Sequence, residues 1–536
     1  MPDSSTQPAP SGPHRLRARA ASGVTWLGGW VEANPHVTLV VFLCVLVLAD
    51  LGNSLATPLG HDELFTFYIS QAQTWKDLLV QTRRIDLNPP LSYALTRLSL
   101  CLFGEGTLQC RLPEIAGFAL ACASLFGFVR RRAGAAAGLL AAALLFASRA
   151  GDLNILARPY GLMLGFATLA LLCWQGSLLA TTRRGALVQN LLLATALAAL
   201  LLSHVFGLIA WGALVCGELT QAFERRRLDR SRTLALLLPL LACATYKPLL
   251  ASHGLSVFPA AFQPTGEDIF NFYIQHIDRE LIVLGPTAFV VVVVAGKKWL
   301  RGSQRFFLSR PEWVVVAVFL AAPLALILRL MLAHEAYFDR YGVIACIGVA
   351  ILFTALLMYW VNNRAGVCVI AAFLALTISS RTVTAVSASV EAQIFRHTDP
   401  VLAPSHLDML TDPALPLVDA SGLTFVEMQR REPAALLART YYLTGGDAAI
   451  RYAHATIFEG MAWEADHFKF ASSVESYPEF IAEHPHFYVL GTFDYPEDWL
   501  LRKLLADQAR IVRVGTVDAL YKDHELYEVT MPAQVR

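Results

Sequence analysis

From about residue 37 to about residue 386 the chain is a succession of long apolar runs broken by short polar or basic stretches. A transmembrane helix needs about 20 mostly apolar residues. Runs of that kind fall at 37–57, 111–129, 134–150, 160–180, 187–203, 204–222, 233–250, 281–300, 312–332, 342–361 and 366–386. The apolar segment 91–103 is too short to cross and is predicted to lie along the membrane surface. Beyond about 390 the pattern changes. Residues 486–490 are strand-like and end at Gly491, and 496–509 has helical spacing with Leu500, Leu501, Leu504 and Leu505 on one side. Further strands are expected at 510–514 and 526–529.

Charge gives these runs an orientation. The basic clusters are Arg15 to Arg19, Arg130 to Arg132, Arg183-Arg184, Arg225 to Arg232, Lys297 to Arg301, and 362–364. All lie on one side if the span assignments hold, which puts the N-terminus inside and the tail outside, with about 11 crossings. The expected organisation is a cytoplasmic leader (1–36), a transmembrane domain (37–389) with a first outer loop (58–110), and an extracytoplasmic α/β domain (390–536). The leader is rich in Pro, Ser and Arg and lacks the apolar core of a signal peptide. Trp26, Leu27, Trp30 and Val31 suit a short interfacial helix.

Composition agrees. Only 16% of the 536 residues are charged and 55% are hydrophobic, where a soluble domain carries about a quarter charged. The net charge of +1 gives no electrostatic case for nucleic acid. The nine cysteines all precede residue 369, so the tail has no disulfide framework. No zinc-ligand spacing, Walker motif or dinucleotide fingerprint occurs.

With this topology the unusual polar residues gather at the outer ends of the spans. The first outer loop opens with Gly60-His61-Asp62-Glu63, continues through Asp86-Leu87-Asn88-Pro89-Pro90, and ends near Arg111. Arg158, His204, Lys247 and the run from His334 to Arg340 share that face. Taken singly, each is an ordinary solvated charge at a membrane boundary. Arg97, within the short helix, is expected to snorkel to the interface. As a set, adjacent carboxylates facing several cations suit chemistry on an anionic, lipid-linked substrate. The cations would hold phosphate and a carboxylate would take a proton from an acceptor hydroxyl.

Asp62-Glu63 just after the first span, Asn88-Pro89-Pro90-Leu91, the short helix, and Arg111-Leu112-Pro113 opening the second span resemble the GT-C glycosyltransferases. The branch is that of the protein O-mannosyltransferases and the lipid A aminoarabinose transferase, glycosyltransferase family 39. Ala157-Arg158-Pro159-Tyr160 and Arg340-Tyr341 extend the likeness, which covers about 37–386. The resemblance implies a mostly α, polytopic membrane fold and a polyprenyl-phosphate-sugar donor. It also implies an inverting transfer at the outer membrane face to a lipid, glycan or protein hydroxyl. It makes Asp62 the general base, with Glu63 orienting the acceptor or sitting beside a divalent cation if one is used. It gives the donor phosphate to Arg158 and Arg340; Arg111 is a further candidate for that role, and Lys247 is added to it from topology. Asp86, Asn88, Tyr160 and Tyr341 are candidate substrate contacts, and His61 and His204 are added from topology. Asn88 stands where the family usually has His. A bacterial inner membrane is the expected location. The competing reading, a transporter or flippase, calls for ionisable groups at mid-membrane on broken helices in repeated halves, and no internal repeat is visible.

Overall fold

The computed structural model describes residues 26–86, 88–246, 263–273 and 307–360, scattered positions between 366 and 387, and most of 405–532. The expected span 281–300 lies outside these residues, as do Lys247 and most of the leader. Five helices are long and apolar enough to cross a membrane: α1 (Pro35–Ala56), α5 (Thr107–Ala133), α8 (Tyr160–Leu179), α9 (Arg183–Ser203) and α12 (Arg310–Ala333). The chain is a multi-pass membrane protein. Apolar side chains such as Leu48, Leu191 and Leu332 stand exposed on these helices, as a lipid-facing surface requires.

Between them run α2 (His61–Ser70), α3 (Trp75–Gln81), α4 (Leu91–Phe103), α6 (Ala135–Ala147), the short α7 (Arg149–Leu153), α10 (Gly207–Arg225), α11 (Arg230–Leu237) and α13 (Ala345–Trp360). Most of these boundaries fall near the sequence expectation. The predicted span 233–250 differs: its described part is α11 followed by a 3₁₀ segment, Leu238–Thr245, which begins where Pro239 enters. Proline removes an N–H donor and disfavours continuation of the α-helix. Arg97 also differs. It donates to the carbonyls of Ala72 and Gln73 and covers the Trp75 ring, so it braces the outer loop rather than snorkelling.

The centre of the bundle is the contact between α5 and α8. Gly117, Gly161 and Gly165 let the two backbones touch. A Cβ on Gly161 would lie 2.1 Å from the Glu114 carbonyl oxygen, and one on Gly165 would lie 2.2 Å from that of Gly117. Small residues are the usual device for close helix approach in lipid, where no hydrophobic force drives helices together. The two helices run the same way, since Gln175 near the end of α8 donates to the Phe128 carbonyl near the end of α5. At that end Glu312 accepts from Arg132 (3.0 Å) and Gln175 (2.8 Å), and Glu218 accepts from Arg232 (2.7 Å) and Trp174 (3.1 Å). The basic ends of α5, α10, α11 and α12 thus meet, beside the end of α8, at one pole. The candidate site occupies the other.

The tail forms a six-stranded sheet ordered β3-β2-β1-β4-β6-β5. Strands β1 (Leu417–Asp419), β2 (Thr440–Thr444), β3 (Ser473–Ser476) and β4 (His486–Gly491) are parallel, with Val418 beside Tyr441 and Val489. Strands β5 (Arg510–Thr516) and β6 (Glu525–Thr530) close it antiparallel. Helix α14 (Gly422–Arg431) follows β1, and α15 (Met461–Phe468) precedes β3. Phe425 and Val426 of α14 bury against Leu59, Leu64 and Phe67 of the first outer loop. Arg430 lies 4.3 Å over the Phe67 ring, and Tyr68 stacks on Phe468 at 5.1 Å. The tail is therefore seated directly on the loop that carries Asp62.

A Gly165→Val substitution forces apart two backbones with no room to yield. We expect a loss of folded protein on the order of 1–3 kcal/mol or more, seen as a lowered thermal midpoint in detergent, whereas Gly212→Ala, with open space around it, leaves the midpoint unchanged.

Candidate active site

The site is assembled on a buried ion pair. Glu63 and Arg111 are both sealed from solvent. The Arg111 Nε and Nη2 donate to the two Glu63 oxygens, each at 2.7 Å. The remaining Arg111 N–H groups reach the carbonyls of Ser54, Thr57 and Pro58 and the Thr57 hydroxyl. Glu63 also accepts from the backbone N–H of Gly60 (2.8 Å) and of Ala157 (2.6 Å). One ion pair thereby ties together the end of α1, the start of α2, the start of α5 and the segment leading to Arg158. Neither side chain has a donor or acceptor left for a ligand.

Asp62, the next residue, faces the other way. Its side chain is 38% exposed, and its Oδ2 lies 2.8 Å from Nη2 of Arg340, which the 3₁₀ turn Asp339–Gly342 carries. Arg158, almost fully buried, donates Nη1 to the Asp62 carbonyl at 3.1 Å and grips Asp86 with both terminal nitrogens, Nη2 at 2.7 Å from Oδ1. The Tyr93 hydroxyl also donates to Asp86, and the Asn88 amide caps the Asp86 carbonyl at 3.3 Å. Two guanidinium groups therefore flank Asp62, each already matched to a carboxylate. The Nε–H of Arg158 and that of Arg340 are both buried and have no hydrogen-bond partner among the described residues.

Partial burial by itself would raise the Asp62 pKa, but Arg158, Arg340 and His61 outweigh it and hold the carboxyl below its usual range. His204 is different. Burial, reinforced by Arg158 and Arg340, pushes its pKa down to about 3. It is neutral at physiological pH, and its Nδ1 accepts from the Phe206 N–H at 3.1 Å, which assigns the hydrogen to Nε2. Its ring stacks on Phe206 and neighbours Tyr160, and Phe206 in turn neighbours Tyr341. Phe338 lies under Arg340 at 4.7 Å. An aromatic wall thus backs the two arginines.

Of the candidates from sequence, Asp62, Asp86, Asn88, Arg158, Tyr160, His204, Arg340 and Tyr341 come together. Arg111 and Glu63 stand behind them, fully engaged with each other. That geometry speaks against Arg111 as a phosphate contact. It also fits Glu63 poorly as a metal ligand, because all its acceptor capacity is used. Among the described residues no group of three potential metal ligands occurs. Lys247 lies outside the described residues. Tyr93 and Phe206 went unnoticed in the sequence. Tyr93, seven residues beyond Asp86 in an apolar stretch, reads as an ordinary core residue.

Residues 87–248, under a third of the chain, match the profile of a family described as dolichyl-phosphate-mannose-protein mannosyltransferase. No curated protein sequence matches the chain. Solved structures do. ArnT from Cupriavidus metallidurans bound to undecaprenyl phosphate is 14% identical, with a TM-score of 0.53 over 93% of this chain and 98% of that one. The same protein in the apo state gives 13% and 0.54 over the same shares. The fold is thus the GT-C fold, and the chain resembles the GT-C glycosyltransferases over its membrane domain and its tail.

Glu63→Gln removes the charge that compensates buried Arg111 and should cost about 3–5 kcal/mol of stability, read as a large drop in thermal midpoint. Asp62→Asn, at a half-exposed position, should leave the midpoint close to that of the parent protein in the same assay.

Proposed function

We propose that the protein is an inverting glycosyltransferase that moves a sugar from a polyprenyl-phosphate donor to an acceptor hydroxyl. The observation that carries this reading is the pair of guanidinium groups around Asp62, each with a buried, unpartnered Nε–H. A phosphate oxygen satisfies such donors, and Arg binds phosphate through its planar fork. The fit with the fold is direct, since the ArnT structure of the same architecture holds undecaprenyl phosphate.

In this reading the donor phosphate takes Arg340 away from Asp62. The carboxylate then becomes available only once the donor is in place. Asp62 accepts the proton as the acceptor O–H bond breaks, and the acceptor oxygen bonds to the anomeric carbon. The bond from that carbon to the phosphate oxygen breaks on the opposite face, and the polyprenyl phosphate leaves with the electron pair. The leaving group is an anion of low basicity, so it needs charge stabilisation rather than protonation. Fixed cations in a partly dehydrated site supply that without reorganising. Asp86, anchored by Tyr93 and Asn88, keeps Arg158 pointed into the site. Glu63 and Arg111 hold the frame. Neutral His204 offers its Nε2–H to a sugar or phosphate oxygen. The site lies at the pole opposite the basic helix ends, and the positive-inside rule makes that pole extracytoplasmic, as in a bacterial inner membrane.

The test is product formation in producing cells, followed by mass spectrometry of envelope glycans and lipids. Asp62→Asn should abolish the product at normal expression; undiminished product overturns the assignment of the base. Arg340→Ala should weaken binding of undecaprenyl phosphate to the purified protein, with partial recovery in Arg340→Lys. The pH dependence has a definite sign. Asp62 works as its carboxylate, so activity falls as pH drops through its pKa. Removing the Arg340 charge raises that pKa, so the acid limb of Arg340→Ala shifts to higher pH.

A further inference from the structure

The tail reaches the rim of the candidate active site at one point. Glu427, on α14, places Oε1 3.1 Å from Nδ1 of His61, the residue immediately before Asp62. The contact is held from both sides. Phe425 and Val426, just before Glu427 on the same helix, are buried against Leu59 and Leu64, which bracket His61 in the loop. Arg430, one turn on, covers the Phe67 ring. Glu427 is largely buried while His61 is half exposed, with side-chain accessibilities of 15% and 43%. The approach is of ion-pair range and not an aligned hydrogen bond, since Nδ1 has no hydrogen-bond partner among the described residues; it holds the ring with Nδ1 towards Glu427 and leaves Nε2 as the other ring nitrogen.

The donor side of Asp62 is taken up by Arg340, Arg158 and the aromatic wall. His61 lies on the side facing the tail. We propose that the tail completes the acceptor side of the site, with Glu427 as a positioning residue that aims the His61 Nε2 at a hydroxyl of the incoming acceptor. This inference rests on the glycosyltransferase reading and deepens it. Nε2 hydrogen-bonds a hydroxyl of the acceptor, which can both donate and accept, and steers that acceptor towards Asp62. The substrate class at this subsite is a polyol or other hydroxyl-bearing group. Recognition of the acceptor is then shared between the membrane domain and the tail.

The test uses the full chain, in cells for product and in lipid nanodiscs for binding, with undecaprenyl phosphate as the donor-side probe. Glu427→Ala and His61→Ala should each lower product about tenfold, with thermal midpoint and undecaprenyl phosphate affinity unchanged. A tenfold loss corresponds to about 1.4 kcal/mol in the transition state. The double variant should be no worse than His61→Ala, because the two residues act as one unit. Glu427→Gln, which keeps the shape of the contact with His61 but not its charge, should recover part of the product. Full product in Glu427→Ala and His61→Ala, additive losses in the double variant, or a matching fall in undecaprenyl phosphate affinity would overturn the proposal. Asp62→Asn separates the two levels. If it abolishes product while Glu427→Ala does not, only the tail's role is wrong. If Asp62→Asn keeps full product, the transferase reading fails and this inference falls with it.

Discussion

The Glu63–Arg111 ion pair is the constraint on which the site depends. Burying two charges is costly, and here the cost is offset by saturating every donor and acceptor that the pair possesses. The reward is geometric. The pair fastens the ends of α1 and α5, the beginning of α2 and the segment before Arg158 to one another. Asp62 and Arg158 are the immediate neighbours of residues held in this way. A loop of about 50 residues would otherwise carry large conformational freedom. The clamp converts it into a rigid wall.

On that wall the charges are arranged in matched pairs, Asp62 with Arg340 and Asp86 with Arg158. The matching keeps the substrate-free site neutral enough to sit at the edge of a membrane, where unpaired charge is expensive. It also stores the site's selectivity. An anion that competes for Arg340 releases Asp62, so recognition of the donor and activation of the base become one event. The buried Nε–H groups of Arg158 and Arg340 have no hydrogen-bond partner among the described residues and leave this network incomplete. An incomplete buried network points to a missing ligand more strongly than a cluster of exposed charges does.

The tail and the membrane domain are not independent. The packing of Phe425, Val426 and Tyr442 against Leu59, Leu64 and Phe67 is apolar and continuous, and cation–π contacts from Arg430 and Arg84 border it. Part of the surface of α2 is thus given to the tail, and the same short helix carries Asp62.

The sequence by itself determined the apolar runs, their common basic end and the change of pattern beyond 390, because hydrophobic length and charge at span ends are local properties. It also drew attention to Asp62, Arg158 and Arg340, since charged residues are conspicuous in an apolar chain. Residue types alone did not assign the division of labour among them, for which the sequence offered only the family resemblance. Adjacent Asp62 and Glu63 look alike in sequence, yet one is buried against Arg111 and the other opens to the site. Arg111 and Arg340 are both candidates for phosphate until the first is found with no N–H to spare. Contacts such as Arg340–Asp62 and His61–Glu427 join residues hundreds of positions apart. Only the folded chain decides which charges neutralise one another and which remain free to act.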